Sequence, residues 1–128
     1  MSKRLLLVGG IFNAFFTVFH IWLGWQIQLL PGLLPEIKAL MQMLNVAGIL
    51  TIAFATFASF FWVEDLLNTG LGRTTIILVA LFYATRAMEE IILSPEFSPV
   101  IFGVCILVAM IYMLAIAGSV RKPVIAQT

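Results

Sequence analysis

The stretch Leu71–Leu93, LGRTTIILVALFYATRAMEEIIL, decides whether this chain crosses a membrane three times or four. It is 23 residues long, but only Thr74–Thr85 is free of charge, and Arg86, Glu89 and Glu90 follow before Ile91, Ile92 and Leu93. A helix rises about 1.5 Å per residue and the hydrocarbon core is about 30 Å thick, so a crossing needs about 20 residues. The stretch is long enough only if those charges are tolerated near one end; a helix with a re-entrant or interfacial end is the other reading. A full span is preferred, because the apolar run that follows it would otherwise start on the wrong side.

The flanking segments are unambiguous by length. Leu5–Leu30, Ala39–Val63 and Phe97–Val120 are uncharged over 26, 25 and 24 residues, with His20 counted as neutral. Across all 128 residues, 62% are hydrophobic, 10% are charged and the mean hydropathy is +1.13. A water-soluble domain of this composition would expose a large apolar surface. The same figures exclude a disordered chain, and a formal net charge of +1 excludes a nucleic-acid partner. Cys105 is the single cysteine, so no intrachain disulfide forms.

The predicted fold is all-α: a single integral membrane domain, an antiparallel bundle of four transmembrane helices over 5–30, 37–63, 71–93 and 97–120. Pro31, Gly32 and Pro35 break the chain after the first run, and Pro95 and Pro99 after the third. Glu64–Arg73 reads as a polar connection. All connections are short, so sequential helices are expected to be antiparallel neighbours. Lys3, Arg4, Arg73, Arg121 and Lys122 fall on one side and Lys38 on the other. The positive-inside rule then puts both termini in the cytoplasm, and the compact chain suits a bacterial inner membrane. The first apolar run is too long for a signal-peptide core and reads as an uncleaved helix.

Polar residues inside the apolar runs carry the functional information, because unpaired polar groups are costly in lipid. Asn13, Thr17, His20, Gly24 and Gln28 fall on one stripe of the first helix at about 100° per residue. Gln42, Asn45, Gly48, Ala55 and Ser59 make a similar stripe on the second. Tyr83, Arg86 and Glu90 share a face of the third, with Glu89 beside Arg86. On the fourth, Gly103, Cys105, Ala109 and Tyr112 read as close-packing positions. Asn13, Thr17, Gly24, Gly48 and Ser59 have the simple reading of helix-packing residues, and Gln42 and Asn45 that of interhelical hydrogen bonders.

The ligand-binding or proton-relay candidates are therefore His20, Asn45, Arg86, Glu89 and Glu90, with Gln42 and Tyr83 at the edge, all in the outer half. Arg86 with Glu89 and Glu90 at i+3 and i+4 is either an ordinary intrahelical ion pair or half of a site completed by His20. His20, Glu89 and Glu90 are also the side chains nearest to a metal set, which is too few for a structural zinc site, and no metal, cofactor or catalytic residue is assigned. No Ser-His-Asp set or phosphate loop is present.

His20, Gln42-Met43-Leu44-Asn45 and Arg86-Ala87-Met88-Glu89-Glu90 together resemble the layout of small four-helix bacterial membrane proteins of unassigned function. Small multidrug transporters are of similar size, but place a membrane-embedded Glu where this chain has His20. Three functions fit the residues: binding or transport of a small ion or amphipathic ligand by a homo-oligomer in the lipid bilayer; a non-catalytic accessory subunit of a larger membrane complex; and an enzyme acting on a lipid or quinone. The first is preferred and an enzyme is the least favoured.

Overall fold

Prolines, a left-handed glycine and hydroxyl caps divide the chain into helices. A computed structural model describes residues 1–120 and contains α1 (Ser2–Leu29), α2 (Pro35–Phe61), α3 (Val63–Asn68), α4 (Gly70–Ile92) and α5 (Pro99–Val120). Gly32, at φ +79°, makes the turn between α1 and α2, a conformation that side chains with a Cβ rarely adopt. Pro35 opens α2, where its missing N–H costs nothing. Thr69 starts α4 by accepting from the Gly72 N–H at 2.9 Å. Arg121 and Lys122, two of the charges behind the orientation argument, lie outside the described residues.

The four long helices sit within three residues of their expected limits. Three of them, α1, α2 and α5, are long and apolar enough to cross a membrane. Their outward faces carry large apolar side chains, among them Phe15, Val18, Leu50 and Val100, each more than 60% exposed. The helix α4 is comparably long but interrupted by Arg73, Arg86, Glu89 and Glu90, and does not join that set.

Two features depart from the expected bundle. The polar connection after α2 contains a helix of its own, α3. Glu64 and Asp65 occupy its first turn, where negative charge suits the helix dipole, and Leu66 and Leu67 are both 5% exposed. This short helix packs on α1, α2, α4 and α5 at the end of the bundle that carries the N-terminus. Lys3 pairs with Glu64 there. The approach of α4 to α3 is so close that a Cβ on Gly72 would lie 2.1 Å from the Asp65 carbonyl oxygen.

The second departure is that α2 and α4 form no packed seam. The principal seams run α2–α1–α5–α4, and one side stays open. Consecutive long helices were expected to touch, but α3 carries the chain across the base. Small residues draw the other helices together instead: a Cβ on Gly9 would lie 2.9 Å from the Tyr112 ring, and one on Gly10 would lie 3.0 Å from the Ser59 Cβ.

A polar network ties the four long helices near the middle of α1. The Asn13 amide donates to the Tyr112 hydroxyl, its carbonyl accepts from the Tyr83 hydroxyl, and Ser59 Oγ lies 2.7 Å from the same Tyr112 oxygen. One residue comes from each helix, and all four are 3% exposed or less. Asn13→Leu keeps the bulk but leaves both tyrosine hydroxyls short of a partner. It is expected to lower unfolding stability by about 2 kcal/mol, measured by steric trapping in bicelles. An unchanged stability would show the network to be incidental.

Candidate functional site

Above Asn13, away from α3, the α1–α2 and α4–α5 hairpins part. Along the first hairpin, side chains of α2 donate to carbonyls of α1 in antiparallel order: Lys38 Nζ to Gln28 O at 3.1 Å, Gln42 Nε2 to Gly24 O at 2.7 Å and Asn45 Nδ2 to His20 O at 2.9 Å. A helical carbonyl has a second lone pair, so each can accept in addition to its place in the helix ladder. Gly24 makes the middle of this ladder possible, since a Cβ there would meet Asn45 Nδ2 at 2.8 Å.

Across the gap, α4 uses its charges locally. Glu90 is 3% exposed; its Oε1 accepts from the Ser98 N–H at 3.0 Å and its Oε2 from Arg86 Nη2 at 3.1 Å. Ser98 in turn precedes α5 and receives the Ile101 N–H on its Oγ at 3.4 Å. Glu90 therefore joins the end of α4 to the start of α5. Glu89 lies 4.0 Å from Arg86 Nη1, with its side chain 47% exposed.

Between the hairpins lies a cleft with two lobes. The larger, about 640 Å³, opens on the α2–α4 side and is lined by His20, Asn45, Thr51, Arg86 and Glu89 among others. The smaller, about 370 Å³, lies between α1, α4 and α5 and is walled by Phe12, Phe15, Phe16, Phe19 and Phe82, with Cys105 at its back. His20, Leu23, Phe82 and Arg86 line both, so the lobes meet there. Below them, toward α3, the α2–α4 side continues as an apolar cavity of about 280 Å³ beside Ile52, Leu78 and Val79.

Four of the expected site residues, His20, Asn45, Arg86 and Glu89, thus border one lobe. Of the other three, Tyr83 lines the smaller lobe while its hydroxyl joins the Asn13 network, and Gln42 is engaged in the α1–α2 ladder and Glu90 at the α4–α5 turn. His20 makes no ion pair with Glu89 or Glu90 among the described residues. Its Nδ1 lies 2.9 Å from the Phe16 carbonyl oxygen. A carbonyl can only accept, so Nδ1 carries the proton of that bond and Nε2 is the remaining ring nitrogen. Asn45 is 8% exposed, and its Oδ1 is a buried acceptor without a partner among the described residues. Among the described residues, no group of three or more His, Cys, Asp or Glu side chains comes together to hold a metal ion.

Sequence reasoning missed the aromatic lobe. Its signal was present as Phe12, Phe15, Phe16 and Phe19, a cluster of aromatic residues within the first apolar run. It also treated Tyr112 as packing alone, although a buried tyrosine hydroxyl normally finds a partner.

No protein-family model, curated protein or solved structure matches this chain. The site therefore stands on its own geometry.

The two adjacent glutamates are predicted to differ in how much stability they carry. Glu90→Ala strips a buried carboxylate of two bonds and is expected to cost about 2 kcal/mol of stability. Glu89→Ala, exposed and loosely paired, is expected to change it by less than about 0.5 kcal/mol. Parallel thermal unfolding of both variants in one detergent checks the contrast.

Proposed function

We propose that this is a four-crossing integral membrane protein that binds a small amphipathic ligand in the cleft between its two hairpins. The ligand enters sideways from the bilayer through the open α2–α4 side. In this reading α4 is the remaining span, its charges lie near the membrane surface and both termini face the cytoplasm, as the distribution of Lys and Arg favours.

The observation that carries the reading is the meeting of a polar lobe and a phenylalanine-walled lobe at His20 and Arg86. Lobes of about 640 and 370 Å³ are of the size that accommodates small-molecule ligands. Membrane-protein interiors otherwise close by packing, so a side left without a helix–helix seam calls for an occupant. A ligand with a polar head and an apolar body satisfies both lobes at once.

Native mass spectrometry of protein extracted gently from its own membrane tests this. Wild type is expected to appear at small multiples of 14.2 kDa with a bound species of a few hundred daltons, on the order of a ligand that fills such a cleft. Ala47→Phe places a ring in the cleft from an exposed position on α2 and is expected to lose that species. Identical, ligand-free spectra for both would contradict the reading. Recovery solely as part of one large hetero-complex would instead make the open side the seat of a partner subunit.

A further inference from the structure

We propose that the ligand is a cation that donates hydrogen bonds: a small amphipathic ammonium whose head sits in the polar lobe and whose body lies among the phenylalanines. The proposal rests on the reading of the cleft as an amphiphile site and specifies the chemistry of its occupant.

Charge leads to this class. Among the described residues, Arg86 is the Lys or Arg side chain lining the larger lobe, and its charge is already matched: Nη2 bonds Glu90 at 3.1 Å and Nη1 lies 4.0 Å from Glu89. One guanidinium against two carboxylates leaves a formal charge of −1, located on the more exposed and more distant Glu89. Several neighbouring polar groups direct a donor at a helix carbonyl. Asn45 Nδ2 is used on His20 O, His20 Nδ1 on Phe16 O and Thr51 Oγ on Ala47 O.

The lobe also offers acceptors, and beside it lies Asn45 Oδ1, a buried acceptor with no partner among the described residues. His20 Nε2 carries a lone pair in the neutral ring. Glu89 brings two carboxylate oxygens. A carboxylate or phosphate ligand would meet this net negative, acceptor-rich wall and gain little from an arginine already shared between two glutamates. An ammonium supplies three donors and cancels the residual charge, which is most valuable at membrane depth. Phe82, which lines both lobes, adds a ring to which an organic cation is attracted.

The test uses three probes with one body and different heads: phenylbutylammonium, phenylbutyrate and phenylbutanol. Each is titrated calorimetrically against the full chain in zwitterionic lipid nanodiscs, with empty nanodiscs subtracted. The ammonium is expected to bind at least about tenfold more tightly than the other two. Glu89→Gln, at an exposed position with one distant partner, is expected to erase most of the preference of the ammonium over phenylbutanol. Equal affinities, or tightest binding by phenylbutyrate, would overturn the ammonium assignment; if that binding is still lost in Ala47→Phe, the amphiphile reading survives. No probe binding wild type better than Ala47→Phe would remove the amphiphile reading itself.

Discussion

The amide of Asn13 is the constraint on which the arrangement of helices depends. A primary amide donates and accepts at once, so one side chain can hold the hydroxyls of Tyr83 and Tyr112, and through Tyr112 reach Ser59. Away from water, each of those groups would be expensive to leave unpaired, and the cheapest arrangement has all four helices meeting at this point. Glycines then let α1 approach Tyr112 and Ser59 closely enough for the bonds to form. The helix α3, wedged beneath with Leu66 and Leu67 in the core, spreads the base of α2 and α4.

Everything above that point follows from the two hairpins being held together at one level and separately braced above it. The α1–α2 hairpin is laced by Lys38, Gln42 and Asn45 onto carbonyls of α1. The α4–α5 hairpin is joined by Glu90 to Ser98 and Arg86. Each set of polar groups is satisfied within its own hairpin, so little draws the hairpins together across the cleft. His20, Asn45 and Glu89 border the space between them. A site thus arises from the polar atoms that the two braces leave over.

Much of this was legible in the sequence, and the limits have physical causes. Helix lengths follow from uncharged runs and from Pro31, Pro35, Pro95 and Pro99, and the observed ends agree within three residues. The grouping of His20, Asn45, Arg86 and Glu89 followed from helical phase and depth. Phase alone could not say which partner each polar group takes. Glu90 and Glu89 are adjacent, yet the α4–α5 turn buries one against a backbone N–H and leaves the other at the cleft. Tyr83 shares a face with Arg86 but has a long reach toward Asn13. Short connections suggested that α2 and α4 would touch, because nothing in a six-residue stretch such as Val63–Asn68 announces a helix that spaces its neighbours apart.

The central claim is that the α2–α4 side is open in the membrane, and cysteine cross-linking measures it most directly. In a Cys105→Ser background, the pair Ser2→Cys and Gly118→Cys serves as reference, because a Cβ on Gly118 lies 4.0 Å from the Ser2 Cβ, within disulfide reach. The pairs Ala47→Cys with Thr85→Cys and Thr51→Cys with Phe82→Cys each join a position on α2 and one on α4 that line the cleft. With mild oxidant in native membranes, the account predicts that the reference pair closes readily while both cleft pairs stay reduced. Equally rapid disulfide formation across α2 and α4 would mean a closed bundle and would contradict the account.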